Sequence, residues 1–344
     1  MIRTSLALAA CLVVSTTSLS AVAQAGPYKI LAQKKVGGEG WYDYVTADSV
    51  NRKLYIPRLG QTDSHITVFD LDTLAPVKDF PDPMGRGVAI DQKSGHAFAS
   101  SSPVLMWDAK SLEQIKSIPV SGHPDGILDD PDTGHIYILS HAQPNVTVIN
   151  AKDGAIVGTI NAGGAVEQPV LDGKGHLYIS LEDKGSIAVI DTATMKVTGK
   201  LDLAGKGDGC AGLGIDPKNN ILFAACSEPN VMVILSATDG KILTTLPIGK
   251  GADGAVFNPA TDEVYTAQGD GTFTVIKESS PTSFSVAQTL TTKPRAKTLT
   301  LDEKTGHVFT ASAEFGPTPA AAPGKRPDRP TMLPGSFQIL EIGK

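Results

Sequence analysis

Gly212-Leu213-Gly214-Ile215-Asp216-Pro217-Lys218-Asn219-Asn220-Ile221-Leu222-Phe223 decides the fold of this 344-residue chain. It reads as a strand ending in Asp, a tight turn, and a second strand that opens on an apolar-aromatic pair. The phrase recurs along the chain, with its turn residue at Asp48, Asp91, Asp130, Asp172, Asp216, Asn258 and Asp302, spaced 39 to 44 residues apart. The pair that follows is Leu54-Tyr55, Ala97-Phe98, Ile136-Tyr137, Leu177-Tyr178, Leu222-Phe223, Val264-Tyr265 and Val308-Phe309. All-strand repeats with a period of about 40–45 residues predict an all-β fold, a β-propeller with one four-stranded antiparallel blade per repeat.

The second half of each repeat supports the count. A third strand, apolar on both faces, stands at Ile66–Phe69, Val104–Trp107, Val146–Ile149, Ile187–Ile190, Val231–Ile234, Phe273–Ile276 and Phe337–Leu340. Such runs suit strands sandwiched between neighbouring sheets. The last interval is longer than the others by the Pro-rich stretch 314–335, which reads as a solvated loop inserted in the final blade. After Ile342 there is no room for a fourth strand, whereas Tyr28–Val36 precedes the first repeat and has strand character. The expected closure therefore gives the last blade its outer strand from the N-terminus and removes the open edge. Residues 26–344 are expected to form a single seven-bladed domain.

The Gly212–Phe223 phrase and its copies resemble the YVTN-type (YncE-like) seven-bladed propellers over essentially the whole mature chain. The resemblance implies the same fold and an exported binding protein. The repeats depart from the family's eponymous tetrapeptide, the nearest being Leu54-Tyr55-Ile56-Pro57 and Leu177-Tyr178-Ile179-Ser180.

Arg3, an apolar small-residue stretch and Ala23-Gln24-Ala25 form the pattern of a secretory signal peptide over residues 1–25, cleaved near Ala25. No later apolar run reaches the ~20 residues of a membrane helix. The expectation is a soluble monomer, periplasmic or secreted. The 30 basic and 36 acidic residues leave a net charge of −6, which argues against nucleic acid as a partner. Cys210 and Cys226 both lie in the fifth repeat. A hairpin closed symmetrically about Asp216–Asn220 sets Ile215 opposite Ile221 and Cys210 opposite Cys226, and in an exported protein that favours a disulfide.

Five residues before each turn residue, the repeats align at Asp43, Arg86, Asp125, Glu167, Ala211, Asp253 and Lys297. Seven inner strands would gather these side chains at one mouth of the central channel. Two outcomes stay open. Alternating charges can satisfy one another, or the surplus carboxylates can hold a small polar ligand, a protein partner, or a hard cation such as Ca²⁺ or Mg²⁺. Trp41, two residues before Asp43, adds an aromatic edge to that ligand site; alternation would put Trp41 and Asp43 at the mouth and send Tyr42 and Tyr44 between blades.

His96, His135, His176 and His307 each follow Gly in the repeat turn and read as scaffold. His123 and His141 lie in loops of the third blade at the Asp125 end; with Asp125 and Glu167 they make a candidate metal set. The leading expectation is a non-catalytic ligand- or partner-binding propeller. The alternative is a cation-dependent hydrolase, lactonase or lyase at the same mouth, with His123 or a carboxylate as base. The glycine clusters, such as Gly249-Lys250-Gly251, lack the phosphate-loop pattern and a following helix.

Overall fold

A computed structural model describes residues 25–60, 64–81, 85–143, 145–320 and 330–344. The signal peptide falls outside the described residues apart from Ala25, and so do residues 321–329 of the Pro-rich stretch.

The reason for the recurring Asp is visible at every turn. Its side-chain oxygen accepts a hydrogen bond from the backbone N–H two residues on. The distances are 3.1 Å at Asp48–Val50, 3.2 Å at Asp91–Lys93, 3.0 Å at Asp130–Asp132 and 2.7 Å at Asp172–Lys174. They are 2.9 Å at Asp216–Lys218, 3.0 Å at Asn258–Ala260 and 3.2 Å at Asp302–Lys304. This is an Asx turn, which needs an acceptor oxygen and no charge. Asn258 therefore serves as well as Asp.

Each turn joins an inner strand to the next strand of an antiparallel sheet. The second blade comprises Val88–Asp91, His96–Ala99, Val104–Asp108 and Gln114–Ile118, from the axis outward. The third comprises Pro124–Asp130, His135–Ser140, Val146–Asn150 and Ile156–Ile160, and the fourth Val166–Leu171, His176–Leu181, Ser186–Asp191 and Lys196–Asp202. The fifth begins with Asp208–Asp216 and Ile221–Glu228, and the sixth with Ala252–Asn258 and Glu263–Gln268. In the first blade the inner strand is broken into Trp41–Tyr42 and Thr46–Asp48, both paired with Lys53–Leu59.

The inner strands contact one another in blade order, and the seventh, Leu299–Asp302, returns to the first. The seventh blade takes Lys29–Lys35 as its outer strand, antiparallel to Gln338–Gly343. The chain is a seven-bladed propeller closed by its N-terminal strand. Tyr28 anchors that strand to the sixth blade: its hydroxyl donates to Glu263 Oε2 at 2.5 Å, and its backbone N–H donates to Gln288 Oε1 at 2.9 Å.

The apolar-aromatic pair builds the core. Successive side chains of a strand point to opposite faces, so the first member packs toward the preceding blade and the second toward the following one. Leu54 joins the cluster with Phe309 and Ile339 of blade seven, while Tyr55 joins Ala97 and Trp107 of blade two. Leu177 lies with Tyr137 of blade three, while Tyr178 lies with Leu222 of blade five. Seven such clusters separate the seven blades, and all fourteen residues of the pairs are buried. A polar residue here would be left between two sheets without water.

The cysteines pair as a disulfide, by a route the symmetric closure does not anticipate. At the turn Asp216 faces Ile221 and Ile215 faces Leu222, one residue off the expected register. An extra residue between Cys210 and Gly212 then restores Cys210 opposite Cys226. The insertion leaves its blade as a short ladder, with Phe315 bridged to Met332 and Gly316 N donating to Thr331 O at 2.9 Å.

Candidate functional site at the channel mouth

The extra residue at Ala211 belongs to a pattern. The inner strands of blades three to six each carry one residue more than their partner strand, between Pro124 and Ile127, Val166 and Pro169, Cys210 and Gly212, and Ala252 and Gly254. Those gaps contain Asp125, Glu167, Ala211 and Asp253, the aligned position itself. In blade one the break between Tyr42 and Thr46 contains Asp43. Arg86 and Lys297 stand just ahead of strands Val88–Asp91 and Leu299–Asp302. A β-bulge frees a residue from ladder geometry and re-aims its side chain, which is how these charges leave an otherwise apolar strand. Hydroxyls of the neighbouring blade support the bulges: Ser100 donates to the Asp125 carbonyl and Ser180 to the Cys210 carbonyl.

The ring is paired, not merely collected. Arg86 Nη1 donates to Asp43 Oδ2 at 2.9 Å, and its Nε lies 3.9 Å from Asp125 Oδ1. Lys297 is bonded to Asp253. The third blade adds a further cation, since His141 Nε2 stands 2.8 Å from Asp125 Oδ2 and 3.2 Å from Glu167 Oε1. His123 is exposed and is not part of this set; its backbone N–H donates to Ser140 Oγ at 2.7 Å, which ties together the two loops around His141.

Two residues outside the aligned position join this cluster. Tyr44 was expected between blades, but residues 43–45 are outside regular strand, so alternation does not apply to them. Its hydroxyl donates to Glu167 Oε2 at 3.3 Å, joining blade one to blade four. Gln168, next to Glu167, donates to Ala255 O at 2.8 Å and accepts from Leu213 N and Ala255 N at 3.0 Å. It locks blade four to blades five and six. Trp41 stacks on Phe315 with ring centroids 4.7 Å apart, and the Arg295 guanidinium lies 5.1 Å from its ring. It faces the root of the insertion beside a cavity of about 400 Å³ lined by Arg295, Ser312, Glu314 and Phe315.

Enclosure sets the protonation of the mouth. Burial, reinforced by the charges of Asp125 and Asp253, pushes the Asp43 carboxyl up to about 7 despite Lys297 and Arg86. Burial likewise raises Glu167, with His141 opposing. The hydrogen bonds to Asp125 and Glu167 hold the His141 imidazolium up to about 10. For Lys297, burial works against the charge, but Asp253 and Asp43 outweigh it and the ammonium is held more firmly than usual. Counting His141 as a cation and Asp43 as partly neutral, the surplus negative charge expected of the ring largely disappears.

One group is left unmet. Asp125 is buried, its side chain only 7% exposed, and among the described residues its Oδ1 lacks a hydrogen-bond donor. An unpartnered carboxylate oxygen in such a place costs about 1–3 kcal/mol or more.

No family model and no curated protein matches the chain. Among solved structures it is similar to the RRP9 WD40 repeats, at 11% identity and a TM-score of 0.70, covering 92% of this chain and 97% of that one. It is also similar to U3-55K, at 12% identity and a TM-score of 0.70, covering 92% and 99%. Both likenesses define the class as a seven-bladed β-propeller, and at such identities they speak to the fold alone. Among the described residues no helix is long and apolar enough to cross a membrane.

Proposed function

We propose that this chain is an exported, non-catalytic binding propeller of YVTN type that takes a small polar ligand at the charged mouth of its channel. The signal-peptide pattern at residues 1–25 supports export, and the repeat phrase supports the YVTN relation. The observation that carries the site is the bulge: five blades step out of strand register at the aligned position, and four of those residues are carboxylates. A scaffold that needed only packing would keep these positions in the ladder and apolar. The mouth mixes cations (Arg86, Lys297) with carboxyl groups (Asp43, Asp253), so it suits a ligand that offers both anionic and donor groups.

The test is thermal stabilisation by malonate, ethanolammonium and glycine as probes of anionic, cationic and mixed character. Binding at about 100 times Kd adds about 2.7 kcal/mol to stability, a rise of several degrees in Tm. At least one probe is expected to stabilise the protein, and Lys297→Met to abolish the shift. If no probe shifts Tm, or the shift survives Lys297→Met, the reading fails.

A further inference from the structure

We propose that Asp125, His141 and Glu167 bind one divalent first-row metal ion of the zinc class at the channel mouth, and that the polar ligand reaches that ion through an anionic oxygen. The inference rests on the mouth being a ligand site.

Three residues from two blades gather at one small volume: Asp125, His141 and Glu167 each offer a ligand atom within 4.8 Å of the others, with His141 Nε2 between Asp125 Oδ2 and Glu167 Oε1. Donors around a tetrahedral ion with bonds of about 2.0–2.2 Å stand roughly 3.3–3.6 Å apart. The two edges through His141 measure 2.8 and 3.2 Å, so small side-chain rotations open room for an ion. The donor set is two carboxylates and the His141 imidazole, which gives up its Nε2 proton to solvent as the ion takes its place, and a dication then neutralises the set. The nitrogen ligand selects zinc-class ions over Ca²⁺ or Mg²⁺, which favour all-oxygen shells. The other two carboxylates of the ring are taken by Arg86 and Lys297.

The second observation is independent of the cluster. Asp125 Oδ1 is buried without a hydrogen-bond donor among the described residues, and Arg86 Nε at 3.9 Å is beyond hydrogen-bond reach. An ion chelated by both oxygens of this carboxylate gives Oδ1 a partner. The surroundings hold the ligands in place as outer partners of metal sites do. Tyr44 bonds Glu167 through Oε2 and leaves Oε1 toward His141. Ser140 Oγ accepts from His123 N at 2.7 Å and from Ala142 N at 3.2 Å, so it fixes the loop on either side of His141. Gly122 is required there, because a Cβ would lie 2.3 Å from Ser140 Oγ. His141 is 43% exposed, which gives an ion a path in from solvent. Three protein ligands leave a coordination position open at the mouth.

The experiment is calorimetric titration of untagged, EDTA-stripped protein with ZnCl₂, repeated with CoCl₂ while recording the visible spectrum. One equivalent is expected to bind at micromolar Kd or tighter, with a cobalt band of tetrahedral intensity. His141→Ala and Glu167→Gln are each expected to weaken binding at least tenfold, and Tyr44→Phe, acting through Glu167, by about tenfold. Should a variant fail to fold, as judged by its thermal melt, ¹⁵N-histidine NMR of the wild type reads the His141 Nε2 shift on adding zinc. Absence of stoichiometric zinc binding, zinc affinity unchanged in His141→Ala, or an unmoved His141 resonance overturns the site and leaves His141 as an ion-pair bridge. If zinc fails while Lys297→Met still abolishes a probe's stabilisation, the metal alone falls and the ligand-binding mouth stands.

Discussion

The hydroxyl of Tyr44, in blade one, donates to the carboxylate of Glu167, in blade four, at 3.3 Å. Blades that share no sheet are thereby joined through the charged cluster. Tyr44→Phe keeps the ring and removes only this bond. It is expected to cost about 1 kcal/mol in urea unfolding, with little further loss when Glu167→Gln is added. A double-mutant cycle with no coupling between the two would show that the contact contributes nothing.

The far end of the propeller carries a buried carboxylate whose titration reads out in stability. Burial, with Asp216 and Asp262 nearby, pushes Glu278 up to about 7, although Asn219 donates to its Oε1 at 2.8 Å. Unfolded, its pKa is about 4.3. The folded state therefore binds more protons between those values, so this stabilising contribution is complete below about pH 4 and is lost as pH rises through 7. Wild-type stability should fall between pH 5 and pH 8, and Glu278→Gln should flatten that slope. An identical slope in the variant contradicts the assignment.

The disulfide closes a short loop, with its cysteines 16 residues apart in sequence. Loops of that size gain about 3 kcal/mol from cross-linking. Cys210→Ser with Cys226→Ser should lower stability by that order in urea melts. Dithiothreitol should do the same to the wild type and leave the double variant unchanged.

Blades five and six approach more closely than a side chain allows. A Cβ at Gly212 would lie 2.7 Å from the Gly254 carbonyl carbon. Because backbone cannot swing aside, Gly212→Ala should cost about 1–3 kcal/mol. Gly134→Ala meets nothing within 4 Å but carries φ +68, so its smaller loss should come from backbone strain alone. Equal melting temperatures for the two variants would argue against the close approach.

The blades were legible in sequence because each repeats the same two physical requirements, an acceptor oxygen at the turn and an apolar pair split between neighbours. The charged position was legible for the same reason, since aligned copies expose what departs from them. Its orientation was not. Whether Asp125 leaves the ladder depends on a bulge, and one added residue leaves no mark in the sequence of Pro124–Asp130. Tyr44 escapes because alternation does not carry across the break between Trp41–Tyr42 and Thr46–Asp48. His141 and His123 looked equivalent, both being loop residues of one blade, and only three-dimensional loop geometry separates them. Gln168 has no sequence signature at all: its work is done by hydrogen bonds to the backbone of distant blades.

Lys29 lies opposite Gly343, so among the described residues the first strand of the domain finds its only sheet partner in the last. A chain made from its N-terminus must carry that strand unmated until Gln338–Gly343 has been made. The ring then shuts in one late step, with Tyr28 as the latch. Removal of Gln338–Gly343 would leave two raw edges rather than one shorter propeller.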